Sequence, residues 1–153
     1  MTRRESSGKR QYYGLVHEFE LRVRYVETDR MGVVYYGHYF SWFEAGRAEY
    51  LRHIGYGVLD AENERGLVFP AIQATANYHS SVTFDDVVVI ASKISWMSPA
   101  KAKFEYEVRA TDDGRIVTTG HTIHTTLNAA RKPRRHDPVL LARMAQCGQP
   151  EGE

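Results

Sequence analysis

The chain has 153 residues, 42% of them hydrophobic and 25% charged, with 20 Lys+Arg against 19 Asp+Glu for a formal net charge of +1. This is the composition of one globular domain with a sizeable core; it excludes collagen-like repeats and, over most of the length, disorder. Balanced charge argues against nucleic-acid binding through counterion release. No apolar run approaches the ~20 residues of a membrane-spanning helix, so no integral membrane segment and a cytoplasmic location are expected.

Residues 1–14 are polar, basic and aperiodic and read as a mobile N-terminal arm, 15–146 as a single domain, and 147–153 as a polar C-terminal tail holding the one cysteine, Cys147. From Phe19 to Tyr25 apolar and charged residues alternate, the period of a half-buried strand. Tyr36, Phe40, Phe43, Tyr50, Leu51 and Ile54 then recur at three-to-four-residue steps, marking a long helix that stops at Gly55. Glu44 with Arg47, and Glu49 with His53, fall at helical neighbour spacings and read as surface pairs. Gly46 inside this helix points to close packing.

Further alternating or apolar stretches follow at 71–79, 87–97, 102–110 and 116–127, with Asp112-Asp113-Gly114 as a hairpin turn. A basic run, Arg131 to Arg135, leads into a short terminal helix. Strand, long helix, then four strands with short links describe class α+β: an antiparallel sheet with its apolar face on one long helix. One helix cannot cover five strands, so dimerisation is expected to hide the remainder.

No serine-hydrolase elbow, P-loop, dinucleotide fingerprint or metal-ligand spacing occurs, and His121 and His124 fall on opposite faces of their strand. Neither a metal nor any other bound cofactor is expected. The junction from Tyr25 to Tyr39 remains, with Asp29 seven residues before the helix start, in a loop containing Gly32. A carboxylate beside unpaired N–H groups at a helix start suits acyl-transfer chemistry, as base or nucleophile with an oxyanion donor. Spacing alone equally allows a loop-capping Asp29 and a surface His38.

The run Y-x-x-T-D-x-x-G-V-V-Y-Y-x-x-Y-x-x-W-F-E-x-x-R from Tyr25 to Arg47 resembles the signature of the hotdog-fold acyl-CoA thioesterases of the 4-hydroxybenzoyl-CoA thioesterase branch, including the Tol-Pal-associated thioesterases. The likeness extends to Asp85-Asp86 and Lys132-Pro133-Arg134-Arg135, covering roughly residues 16–140. It implies a hotdog fold, an antiparallel sheet wrapped around one central helix, and an enzyme releasing a carboxylic acid and CoA from an acyl-CoA substrate as a homodimer or homotetramer. It further implies Asp29 as the catalytic carboxylate, either nucleophile or general base, and the backbone N–H of Tyr36 as oxyanion donor.

Tyr25 matches a tyrosine near the family's active site. His38 stands where many relatives carry a small polar residue, and is taken as a site residue or a shaper of the acyl pocket. At Ser80-Ser81-Val82-Thr83 Tol-Pal-type members often carry a proline and an arginine before the acidic turn, and the hydroxyls here, Ser80 and Ser81 first, are candidates to orient substrate or water from the partner subunit. Lys132, Arg134 and Arg135, with Arg131, offer charge for the phosphates of CoA. Glu44 is the candidate for a second family geometry, with a helix glutamate as carboxylate, and its pairing with Arg47 is preferred. Tyr35, Tyr36, Tyr39, Trp42 and Phe43 read either as an aryl pocket or as core. Two other functions stay open: a non-catalytic acyl-CoA or acyl-carrier-protein binding module, and a hotdog hydratase or dehydratase.

Overall fold

The computed structural model describes residues 15–147, so the expected arm at 1–14 and the tail beyond Cys147 lie outside the described residues. Five strands, β1 (Val16–Arg22), β2 (Ala71–Tyr78), β3 (Val87–Met97), β4 (Lys101–Ala110) and β5 (Ile116–Thr125), form one sheet in the order β1-β3-β4-β5-β2. Every neighbouring pair is antiparallel. Consecutive β2 and β3 are therefore not partners. The segment from 79 to 86 carries the chain across the ends of β5 and β4, and β2 is left as an edge strand. On that edge Ile72 is 51% exposed.

The long helix α1 (His38–His53) crosses the inner face of the sheet. Its buried residues are Tyr39, Trp42, Phe43, Gly46 and Tyr50. The sequence-derived stripe is thus partly misphased: Phe40 is 37% and Tyr36 61% exposed. The helix begins only at His38, and the steps 39, 42, 43, 46, 50 trace a single face from there. The first strand is likewise shifted. It leaves the sheet at Arg22, and Tyr25 lies in a one-turn 3₁₀ helix, Tyr25–Glu27.

A second helix, α2 (Val58–Arg65), was not legible as a periodic stripe because Ala61 is its one buried residue; it ends at Gly66, with φ +65°. The terminal helix α3 (Pro138–Cys147) includes Cys147. Asp137, 1% exposed, ties these pieces together. Its Oδ1 accepts the Val139 N–H at 3.0 Å, and its Oδ2 accepts from Tyr56 Oη at 2.8 Å and Arg65 Nε at 2.9 Å. Neither helical surface pair forms as expected: Glu49 pairs with Arg52, and Arg47 donates to Tyr106 Oη at 3.2 Å. His53 instead lies against His17 of β1, ring centroids 4.9 Å apart.

Two glycines set how closely α1 approaches the sheet. A Cβ on Gly46 would lie 2.5 Å from Ser92 Oγ and 2.8 Å from Ile90 Cγ2, and one on Gly120 of β5 would lie 2.3 Å from the Thr75 carbonyl oxygen and 2.6 Å from the Phe43 ring. The Phe43 ring stacks on Tyr106 of β4 with centroids 4.5 Å apart. No helix among the described residues is long and apolar enough to cross a membrane.

In an exposed helix Gly46→Ala would gain about 1 kcal/mol. Here the clash with β3 is expected to outweigh that gain and give a net loss of about 1–3 kcal/mol in urea denaturation. A more stable variant would contradict the close packing of α1.

Candidate active site

The loop from Thr28 to Gly37 joins the 3₁₀ turn to α1, and its backbone is closed on itself. The Asp29 N–H donates to the Val33 carbonyl at 2.9 Å, the Gly32 N–H returns to the Asp29 carbonyl at 3.0 Å, and Asp29 Oδ1 accepts the Met31 N–H at 2.8 Å. Gly32 makes the turn possible, with φ +82°. The loop is also fastened to the segment leading into β3: Val34 N–H donates to the Val82 carbonyl at 3.0 Å, and Thr83 Oγ1 donates to the Gly32 carbonyl at 2.5 Å. The half-buried Asp29 carboxylate is held by these bonds, and its Oδ2 takes no hydrogen bond from any described residue.

Glu27 carries the other anchor. It is 4% exposed, and its two carboxylate oxygens accept from the Arg24 N–H and from the Trp42 indole Nε1–H, both at 2.8 Å. Its carbonyl accepts the Tyr35 N–H at 2.9 Å. One buried carboxylate thus joins the chain before Asp29 to α1 beyond it. Sequence reasoning missed this role, because Glu27 sits among the polar Arg24, Thr28, Asp29 and Arg30 and nothing in that run marks it as buried.

At the start of α1 the Tyr36 carbonyl accepts Tyr78 Oη–H at 3.2 Å. Among the described residues, the Tyr36 N–H meets no acceptor. The Tyr36 ring is exposed, beside Tyr35 (4.5 Å) and Tyr78 (6.2 Å). His38 is the first helical residue; its N–H donates to the Tyr35 carbonyl at 2.9 Å and its ring lies edge-on to Tyr35. Tyr39, Trp42 and Phe43 are buried core, whereas Tyr35 and Tyr36 face outward.

The remaining candidates are dispersed. Tyr25 is 75% exposed and packs edge-on against Phe84. Ser80 Oγ–H is taken by the Ile116 carbonyl at 2.8 Å, and the Ser81 carbonyl by Arg115 Nη2 at 2.8 Å. Thr83, two residues further, is the hydroxyl that reaches the Asp29 loop. Lys132, Arg134 and Arg135 are exposed in a segment organised by Asn128, whose Oδ1 accepts the Ala130 and Lys132 N–H groups at 2.9 and 3.0 Å. That segment follows the end of β5, at the opposite end of the sheet from the Asp29 loop.

Residues 31–117 match the family model described as the thioesterase superfamily. The chain belongs to the thioesterase superfamily. It is 29% identical over 93 residues to the putative acyl-CoA thioesterase YneP of Bacillus subtilis, covering 61% of this chain and 67% of that one. It is 32% identical over 87 residues to the acyl-CoA thioesterase YbgC of Haemophilus influenzae, covering 57% of this chain and 64% of that one, just under two thirds of the relative's length. The solved DHNA-CoA thioesterase of Staphylococcus aureus superposes with a TM-score of 0.80 at 28% identity, over 86% of this chain and 89% of that one. The architecture is the hotdog fold that the resemblance implied.

A row of polar side chains on the inner face of this thioesterase-superfamily domain lies away from Asp29. His124, 6% exposed, sets Nδ1 3.0 Å from the Phe69 carbonyl and Nε2 2.9 Å from Thr122 Oγ1, which lies 2.6 Å from Tyr106 Oη. A carbonyl only accepts, so Nδ1 carries the proton. Burial, reinforced by the Arg47 charge and opposed by the Phe69 carbonyl, pushes the His124 pKa down to about 4, so the ring is neutral and Nε2 accepts. Thr122 therefore donates to His124, Tyr106 to Thr122, and Arg47 to Tyr106.

Two outcomes follow for stability. A double-mutant cycle of Glu27→Gln and Trp42→Phe, read by urea denaturation, is expected to give a coupling of about 1–3 kcal/mol, because each change alone leaves a buried partner unpaired; zero coupling would contradict the anchor. For His124 the folded pKa lies below the ordinary 6.5, so its contribution is complete above pH 6.5 and lost as pH falls toward about 4. The loss totals roughly 3 kcal/mol at about 1.4 kcal/mol per unit. The pH dependence of unfolding should flatten over this window in His124→Gln; an unchanged slope would contradict the assignment.

Proposed function

We propose that the protein hydrolyses acyl-CoA thioesters to a carboxylic acid and CoA, with Asp29 as its catalytic carboxylate and the Tyr36 N–H as oxyanion donor. The observation that carries this reading is the Tyr36 amide without an acceptor at the start of α1, joined through Glu27 to the loop that fixes Asp29. A thioester carbonyl at that amide would develop negative charge as its carbon becomes tetrahedral, and a preformed N–H aimed there stabilises the transition state more than the ground state. Asp29 acts on the carbonyl carbon in one of two ways: its free oxygen attacks to give a mixed anhydride that water then cleaves, or it takes a proton from the attacking water. In both, the C–S bond breaks and the CoA sulfur leaves as thiolate and is protonated.

Tyr35, Tyr36, Tyr78 and His38 line the approach to the amide, and Thr83 holds the loop from behind. Two copies pairing along their β2 edges would remove the open edge and extend the sheet. An antiparallel pairing sets the end of one sheet beside the opposite end of the other. Lys132, Arg134 and Arg135 of one copy would then neighbour the Asp29 loop of the second, where they suit the phosphates of CoA.

Asp29→Asn is expected to lower kcat for thiol release from an acyl-CoA panel by ~10³-fold or more while leaving the fold and substrate binding in place. Equal turnover by the variant would remove Asp29 from the mechanism. A wild-type protein that binds acyl-CoA and releases no thiol would favour the non-catalytic acyl-binding module.

A further inference from the structure

A cavity of about 560 Å³ lies between the C-terminal half of α1, α2, the start of β4 and the end of β5, away from Asp29 in the same chain. Leu51, Leu67, Phe69, Phe104 and Leu140 give it apolar walls, a composition suited to an acyl group. Glu44, Arg47, Arg52, Glu62, His124 and His136 interrupt that wall.

From Arg47 on this wall the hydrogen bonds run in one direction through Tyr106 and Thr122, which do not line the cavity, to His124 and the Phe69 carbonyl. The acceptors of that row are consumed within it. Arg47 stands at the donor end, half-buried, and Tyr106 Oη is its one hydrogen-bond acceptor among the described residues. Glu44, also on the cavity wall, does not pair with it. A guanidinium has five N–H donors in a planar fork that matches a carboxylate. In a largely apolar wall a cation with spare donors that bonds neither Glu44 nor Glu62 of the same lining favours an anion that enters with the ligand.

The cavity lies where the site of a second copy would need it. Tyr78, at the end of β2, bonds the Tyr36 carbonyl, whereas Ala71, at its start, follows Phe69 of the cavity wall. Antiparallel pairing of two β2 edges would set the Tyr78 end of one copy beside the Ala71 end of the other. The start of α1 in one copy then borders the cavity of its partner.

We propose that Arg47 is a specificity-determining residue that pairs with a carboxylate at the far end of the acyl group, making CoA mono-thioesters of dicarboxylic acids the preferred substrates. This rests on the thioesterase reading above. The reaction is unchanged: water adds to the thioester carbonyl, the C–S bond breaks and the thiol takes the proton, while the distal carboxylate only binds.

The test compares kcat/KM for glutaryl-CoA, adipoyl-CoA, hexanoyl-CoA and 4-hydroxybenzoyl-CoA in the wild type, Arg47→Lys and Arg47→Met, with calorimetric titration of free adipate into each protein. The wild type is expected to favour a carboxylated acyl group over hexanoyl by ~10-fold or more. That ratio should fall by at least ~10-fold in Arg47→Met and less in Arg47→Lys, with adipate binding lost in the former. A wild type that prefers hexanoyl-CoA or 4-hydroxybenzoyl-CoA, or a ratio that neither substitution moves, overturns the proposal. If no thioester is turned over, the hydrolase reading fails by itself. Adipate binding that weakens in Arg47→Lys would still uphold the anion site, and no adipate binding by the wild type would overturn it.

Discussion

The seating of α1 on the sheet is the constraint from which the rest of the molecule follows. At Gly46 and Gly120 helix and strand approach to distances that leave no room for a Cβ, and Phe43 stacks on Tyr106 between them. This fixes the height and rotation of the helix over β3, β4 and β5. Its first turn consequently comes to rest beside Tyr78, at the end of the edge strand. Close packing of this kind tolerates no sliding, because an interior at crystal-like density has few alternative arrangements.

A helix so placed becomes useful only if the chain entering it is equally well fixed. Glu27 supplies that second constraint by bonding Trp42 of α1 and the backbone at Arg24 with its two oxygens. A buried carboxylate is costly unless its oxygens are satisfied, and here both are. The Asp29 loop is therefore suspended between the helix and the segment leading into β3, with Thr83 and Val82 closing the far side. The proposed mechanism depends on this rigidity, because an oxyanion donor acts through preorganisation and a loop free to move would forfeit it.

Much of this could be read in the residues, for definite reasons. Strand β4 announces itself because its inner face is buried in strict alternation, as in Ala102, Phe104, Tyr106, Val108 and Ala110, and β3 because it is apolar enough for a central strand. The Tyr25–Arg47 motif located the junction because its glycine, aspartate and aromatics recur at fixed spacing. Helix α2 escaped because a helix with a single buried residue carries no periodic signal. Strand order escaped because short links suggest neighbours, whereas the 79–86 segment crosses two strands before β3 begins. The partners of Arg47 escaped for a similar reason: Glu44 is near it along the helix, but Tyr106 is near it in space. Tertiary geometry, which one helix face does not encode, decided that choice.

In the proposed mechanism a thioester carbonyl is received at the start of α1, by an amide held in place through the Glu27 anchor. A crystal structure of the Asp29→Asn protein with an uncleaved acyl-CoA tests it most directly. The thioester oxygen is expected about 2.7–3.1 Å from the Tyr36 amide nitrogen, with residue 29 facing the carbonyl carbon. A thioester bound elsewhere, or a Tyr36 amide turned to an acceptor of the protein itself, would contradict it.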